Sequence, residues 1–211
     1  MNQRWATGRI EAFSDGVFAI AITLLVLDIK IEPSQFDHLW RALGEEWPSY
    51  LAYVTSFLTV GGVWLTHHGL FSRLQAVDPV LMRLNLLLLM AVSFLPFPTG
   101  LMAGALQGSA SAERAAVVVY GATAVLIEVL GAAAWRYAAS RPGLLADHTA
   151  PLPETAQRRR GTLRGALYGL AIFVGIIVLP KLAAFGYFVV AALAVLSARG
   201  EGRLTLRGPP G

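Results

Sequence analysis

Few side chains in these 211 residues could do chemistry, and most of those that could lie inside long apolar runs. His67 and His68 are adjacent, so on a helix they point to different faces, and no third ligand accompanies them; a metal centre is not expected. Glu128 is a lone carboxylate at membrane depth, which raises the question of a proton relay. No second acidic residue sits at similar depth, so a buried, hydrogen-bonded or protonated Glu128 is expected instead. Cysteine is absent, which removes disulfides, thiolate zinc sites, iron–sulfur clusters and thiol nucleophiles. There are no paired carboxylates and no nucleophile–base pair at one depth, so neither an enzyme nor a cofactor is expected. The densest polar group opens the first apolar run: Arg9, Glu11, Ser14, Asp15 and Gly16. Arg9 and Asp15 are six apart, about 240° round a helix, so each needs a partner elsewhere. Ser14 and Asp15 also suit a helix start, where their side chains accept from free backbone N–H groups, and spacing alone favours that role.

The elements that position these residues follow from composition. Apolar residues make up 55% and charged residues 14%, with a mean hydropathy of +0.58. Soluble domains are nearer 45–50% and about a quarter. Such a chain cannot cover itself with a water-compatible surface, so lipid is its solvent and disorder is excluded. The length allows one domain, or two small ones. Six apolar segments stand out: Phe13–Ile31, Tyr50–Phe71, Val80–Met102, Ala115–Tyr137, Leu163–Leu179 and Leu182–Ser197. A helix of roughly 20 residues crosses the hydrocarbon layer. The first four segments reach that length; the last two are short and joined by the tight turn Pro180-Lys181. The first run continues into Leu27-Asp28-Ile29-Lys30 without a small-residue cleavage site, so it is not expected to be a cleaved signal. Only closed hydrogen-bonding patterns survive in lipid, and continuous apolar runs are helices rather than barrel strands. Pro96 and Pro98 are expected to end or kink the third helix. The expected fold is an all-α integral membrane protein, a single six-helix domain over residues 1–211.

Orientation follows from the basic side chains. With the N-terminus inside, only Lys30, Arg41, Arg114 and Lys181 of the 17 Lys and Arg fall outside. That asymmetry puts both termini in the cytoplasm and accounts for the pI of about 9.8 without nucleic acid. Residues 140–162 become a cytoplasmic Pro- and Arg-rich linker, whose Arg158-Arg159-Arg160 can rest on anionic headgroups. The outer loop Glu32–Trp47 carries Glu32, Asp37, Glu45 and Glu46 and would attract cations, while the Gly-, Pro- and Arg-rich 199–211 reads as a flexible tail.

Along the first helix, Ile20, Thr23, Leu24 and Leu27 recur at i, i+3, i+4 and i+7, forming one stripe. Ala19 and Ala21 beside it permit close helix packing. Periodicity does not separate packing from pore lining, and packing is the commoner outcome. Asp28, at the outer end, either gathers cations at a mouth or faces headgroups and water.

The string Arg9-xxx-Phe13-Ser14-Asp15 followed by Gly-Val-Phe-Ala-Ile-Ala-Ile-Thr-Leu-Leu-Val-Leu closely resembles the first helix of the transmembrane protein 175 family. The likeness continues in Trp64-Leu-Thr-His67-His68, in Asn85-Leu-Leu-Leu-Leu and in Phe94-Leu-Pro-Phe-Pro98, covering roughly the first half of the chain. The family comprises potassium-permeable cation channels of endosomes and lysosomes with shorter prokaryotic relatives, so the resemblance implies a channel in a prokaryotic cell membrane. It implies a pore lined by first helices, without a Thr-Val-Gly-Tyr-Gly carbonyl filter, which is absent here too. A single six-helix repeat implies a homotetramer around a central pore. The family's hydrophobic constriction matches Ile20, its threonine ring Thr23, and further apolar pore positions Leu24 and Leu27. This is the stripe found independently above.

The resemblance also joins Arg9, Phe13, Ser14 and Asp15 to polar groups of the second and third spans, with Trp64, His67, His68 and Asn85 as candidates, in a network that staples three helices and sets the balance of open and closed states. A histidine of that pair titrating near neutrality would make gating proton-sensitive. The implied partners are potassium and other monovalent cations, membrane lipid and further copies of the chain, with no cofactor, no resident metal and no nucleic acid. The main alternative is a proton- or sodium-coupled secondary transporter using Glu128, His67 and Asp15 as relay groups, although the inverted repeats and broken midplane helices of such proteins are not evident. A membrane enzyme and a scaffold are more distant alternatives.

Overall fold

Helix formation begins before the first apolar run does. In the computed structural model, which describes residues 5–106, 108–146, 167 and 180–198, helix α1 spans Thr7–Leu24 and tightens into a 3-10 turn over Leu25–Asp28. Arg9, Glu11 and Ala12 are all good helix formers, so polarity there does not delay the helix. The connection that follows holds a second 3-10 turn, Pro33–His38, and the short helix α2, Leu39–Glu45. Then come α3 (Trp47–Phe71), α4 (Pro79–Phe94), α5 (Pro96–Ala105), α6 (Ala110–Ala139) and α7 (Pro180–Ala198). No strand occurs among the described residues beyond two isolated bridges. Apart from Leu167, the expected fifth span lies outside the described residues, as do residues 147–162 of the linker and the tail.

The third apolar run is continuous in hydropathy but is two helices, with the break at Leu95. Pro96 and Pro98 carry no N–H, so the carbonyls of Val92 and Phe94 lose their usual i+4 donors. The Leu95 N–H takes the Val92 carbonyl at 3.1 Å, and Thr99 donates its N–H at 3.1 Å and its hydroxyl at 2.8 Å to the Leu95 carbonyl. Much of the broken ladder is thereby repaired inside the protein.

Among the described residues, three units are long and apolar enough to cross a bilayer: α1 with its 3-10 extension, α4 with α5, and α6. Helix α3, at 25 residues, has the length. It is the central helix, packing on α1, α5, α6 and α7, and it turns Ser49, Thr55, Ser56, Thr59 and His67 inward, where all are buried. Ser56 and Thr99 share a 2.7 Å hydrogen bond, and the Ser56 and Tyr120 hydroxyls lie 3.2 Å apart, so three helices meet at buried hydroxyls. Around them packs a large apolar cluster that includes Phe18, Val60, Leu88, Val92, Met102, Ile127 and Tyr187. Phe57, Met90, Leu126, Val129, Val189 and Leu193 point outward instead, giving the bundle an apolar perimeter suited to lipid.

A second cluster (Ile10, Phe71, Leu81, Ala134 and Leu144 among others) closes the end where α1 begins. There Trp5 and Val77 exchange both backbone hydrogen bonds, at 2.9 and 3.0 Å. Gln75 N–H donates to the Leu144 carbonyl at 2.9 Å, and Ala146 N–H to that of Arg73 at 3.1 Å. The α3–α4 turn is thus clasped from both sides. Asp78 closes the clasp: it caps α4 by accepting from Val80 and Leu81 N–H and also accepts from the Tyr137 hydroxyl at 2.6 Å. Partial burial alone would raise the Asp78 carboxyl. The Leu81 N–H, the Tyr137 hydroxyl, the Val80 N–H and the Arg141 guanidinium outweigh it and hold the group below its ordinary value.

Candidate pore helix and its polar support

Helix α1 has two apolar faces and buries only one. Ile10, Ser14, Phe18, Ala21 and Leu25 recur at spacings of three and four, are buried, and pack against α3 and α4. On the opposite face Phe13, Ile20, Leu24 and Leu27 are 58%, 61%, 42% and 60% exposed. Thr23 is exposed beside Ile20, and its hydroxyl donates to the Ile20 carbonyl at 2.9 Å. That bond uses the proton and leaves oxygen lone pairs free, so Thr23 offers an acceptor to whatever faces it. The predicted stripe therefore lies on one outward face, with levels about 4.5 Å apart between Ile20 and Thr23.

The base of α1 is tied to α3 and α4 by polar side chains. Ser14 Oγ donates to the Ile10 carbonyl at 2.8 Å and accepts from Asn85 Nδ2 at 3.0 Å; Asn85 Oδ1 lies 2.8 Å from His67 Nε2. Since the amide oxygen only accepts, His67 carries its proton on Nε2 and its Nδ1 is bare. That nitrogen is buried without a hydrogen-bond partner, in a ring stacked on Phe71 at 4.2 Å and set edge-on to Phe18 at 5.3 Å. Trp64 Nε1 donates to Asp15 at 2.8 Å, and His68 Nδ1 to Glu11 at 3.1 Å. Trp64 and His68 stack at 5.9 Å.

These contacts correct two expectations. Ser14 and Asp15 do not cap the helix: Ala6 occupies the N-cap, and both residues lie well inside α1, serving α4 and α3. The network takes in Ser14, Asp15, Trp64, His67, His68 and Asn85 but not Arg9 or Phe13. Arg9 is exposed, with no hydrogen bond or ion pair among the described residues, and Phe13 lies on the outward face. Phe13 is aligned with Ile20 and Leu27 at heptad spacing, which turns it away from α3.

Glu11 is the member that sequence reasoning missed; its place one turn before Asp15 was the available signal. No group of three potential metal ligands occurs among the described residues. Glu128 is half-buried and engaged in an interaction. At the far end, the Asp28 carboxylate lies against Gly100 of α5, beside a pocket of about 340 Å³ that Lys30, Glu46 and Ser49 also line.

An apolar perimeter, inward polar groups and a first helix with a bare apolar face define a polytopic membrane protein whose α1 is available to line a pathway. The family model described as endosomal/lysosomal potassium channel TMEM175 matches residues 9–96. A potassium channel of Streptomyces collinus is 44% identical over 183 residues, 85% of this chain and 88% of that protein. A potassium channel of Chamaesiphon minutus is 46% identical over 144 residues, 67% of this chain and 70% of that one. The crystal structure of a lysosomal potassium-selective channel TMEM175 homolog from Chamaesiphon minutus superposes with a TM-score of 0.80 at 37% identity, covering 91% of this chain and 97% of the other. The chain belongs to the TMEM175 family.

Proposed function

We propose that this chain forms a potassium-permeable cation channel, a homotetramer in the plasma membrane of a prokaryote, with α1 of each copy lining the pore. Each copy contributes six spans with both termini in the cytoplasm. The observation that carries the reading is the bare stripe of Phe13, Ile20, Thr23, Leu24 and Leu27, whose apolar members a lone bundle leaves uncovered. The relatives named as potassium channels support a channel over a coupled transporter.

The mechanism follows from what a helix can offer. Its carbonyls are bonded internally, so ions keep part of their water or meet side-chain oxygens. A ring of Ile20 side chains makes an apolar neck that closes by dewetting. Next along, a ring of Thr23 hydroxyls, with protons already given to Ile20 carbonyls, presents lone pairs to an ion shedding water. Potassium holds its water less tightly than sodium, so it crosses more easily, with a discrimination weaker than that of a carbonyl filter. The Glu11, Ser14, Asp15, Trp64, His67, His68 and Asn85 network fixes the base of α1 and with it the balance between open and closed necks.

Proteoliposomes test this directly. Potassium, rubidium and caesium should flow down their gradients without a cosubstrate, and Ile20→Asn, which wets the neck, should raise the flux. Flux that needs a proton gradient, or currents untouched by both Ile20→Asn and Thr23→Ala, would overturn it.

A further inference from the structure

The outer end of α1 is shaped by a contact that the pore reading does not require. Over Leu25–Asp28 the helix is 3-10, in which residues i and i+3 eclipse. Leu25 and Asp28 therefore share one side and Leu24 and Leu27 the other. Leu25 is fully buried, while Leu24 and Leu27 are exposed. Asp28 turns inward onto α5, and its carboxylate lies flat over Gly100. A Cβ built on Gly100 would stand 2.9 Å from Asp28 Oδ1, 3.1 Å from Cγ and 3.2 Å from Oδ2. A methyl group there would overlap Oδ1 and crowd Cγ and Oδ2, and because these atoms are the free end of the Asp28 side chain, the carboxylate would turn aside from Gly100.

An anion at a helix C-terminus is unfavourable to the helix dipole, so Asp28 is not placed there for the sake of α1. Its far side opens on the pocket with Lys30, Glu46 and Ser49, where water can solvate it. The seat itself is held: Thr99, next to Gly100, is buried and bonded both to Ser56 of α3 and to the Leu95 carbonyl. Helix α5 is thus anchored to α3 beside the point where Asp28 rests.

We propose that Asp28 and Gly100 are positioning residues, a wedge and its notch, that set how far the outer end of the pore helix leans toward the axis, and through it the place of the Leu24 and Leu27 rings. The proposal rests on the reading of α1 as the pore helix. A carboxylate turned out of its notch no longer braces the 3-10 turn against α5, and Leu27, one residue before Asp28, is released with it.

The test uses the full-length channel. Gly100→Ala should change unitary conductance and the potassium-to-sodium permeability ratio several-fold. Gly104→Ala, one turn on in α5, where an added Cβ meets nothing within 4 Å, should leave both as they are. Asp28→Ala, which removes the brace outright, should change them in the same sense, and adding Gly100→Ala to it should change nothing further. Position is read independently of current: Leu27→Cys, the sole thiol in a chain without cysteine, should change its alkylation rate when combined with Gly100→Ala and not with Gly104→Ala. Should Gly100→Ala fail to assemble, Asp28→Ala alone must still show the change, or the wedge is wrong. Equal effects of the two glycine variants, or an added effect of Gly100→Ala on top of Asp28→Ala, also overturn it. Ile20→Asn and Thr23→Ala separate the two readings: if both leave currents unchanged the pore assignment fails, whereas if either alters them while Gly100→Ala does not, only the wedge fails.

Discussion

Thr23 and Asn85 show what single side chains contribute, and each makes a measurable demand. Thr23→Val keeps the shape and loses the oxygen. Because Thr23 bonds only to its own helix, the fold should survive and the reversal potential should shift toward less potassium preference; Thr23→Ser should retain the preference. Asn85→Leu removes the bridge between Ser14 and His67. A buried unsatisfied donor costs about 1–3 kcal/mol in soluble proteins, but interhelical bonds in bilayers average nearer ~0.6 kcal/mol, because the unfolded reference also finds partners. The bilayer figure governs here. Denaturant titration in detergent should therefore show a loss of about 1 kcal/mol for the two bonds, and a loss above the soluble-protein range would point to collapse of the His67 site. The outward stripe was legible in the sequence because 3.6-residue periodicity survives any packing. The role of Ser14 and Asp15 was not, because spacing does not reveal whether the preceding residues are already helical. The Glu11–His68 pair joins positions 57 apart and leaves no local trace.

At the level of elements, hydropathy finds a membrane segment but does not register a missing N–H. It shows Val80–Met102 as one run, whereas the prolines divide it into α4 and α5. It carries the first span to Ile31, whereas the helix stops at Asp28. The clasp at the α3–α4 turn was invisible for a similar reason: it is made of backbone bonds from Trp5, Gln75, Val77 and Ala146 that any side chains could accompany. Its carboxylate gives a pH test. Asp78 is held below its ordinary value, so the unfolded chain binds its proton first as acid is added. The stability it confers is complete above the ordinary carboxylate pKa of about 3.9 and is lost as pH falls through the lower native value. Asp78→Asn, itself a good N-cap, removes the charge and puts an amide donor where Oδ2 accepts from the Tyr137 hydroxyl. Thermal melts between about pH 5 and pH 3 should therefore converge for the wild type and the variant. A gap that widens on acidification would mean that Asp78 is not the ionised cap assigned here.

On the scale of the whole molecule, every exposed apolar surface needs a cover, and two kinds are on offer. The α7 stripe of Phe185, Val189, Leu193 and Leu196 is half exposed and purely apolar, so lipid suffices. The α1 stripe differs by holding Thr23 among Ile20, Leu24 and Leu27, a hydroxyl with acceptors to spare. Lipid offers it no partner, while a water- and ion-bearing axis does. The two faces can be told apart by a metal, because the chain has no thiol of its own. Tetrahedral zinc or cadmium needs several thiolates converging from different copies. Ile20→Cys should therefore bring four sulfurs to one level of the axis and make the current sensitive to micromolar cadmium, with reversal by a chelator. Val189→Cys, equally exposed but facing outward, should be indifferent to the metal, as should the wild type with its histidines. Block at Val189→Cys and none at Ile20→Cys would exchange the two faces, placing α7 on the axis and α1 in the lipid.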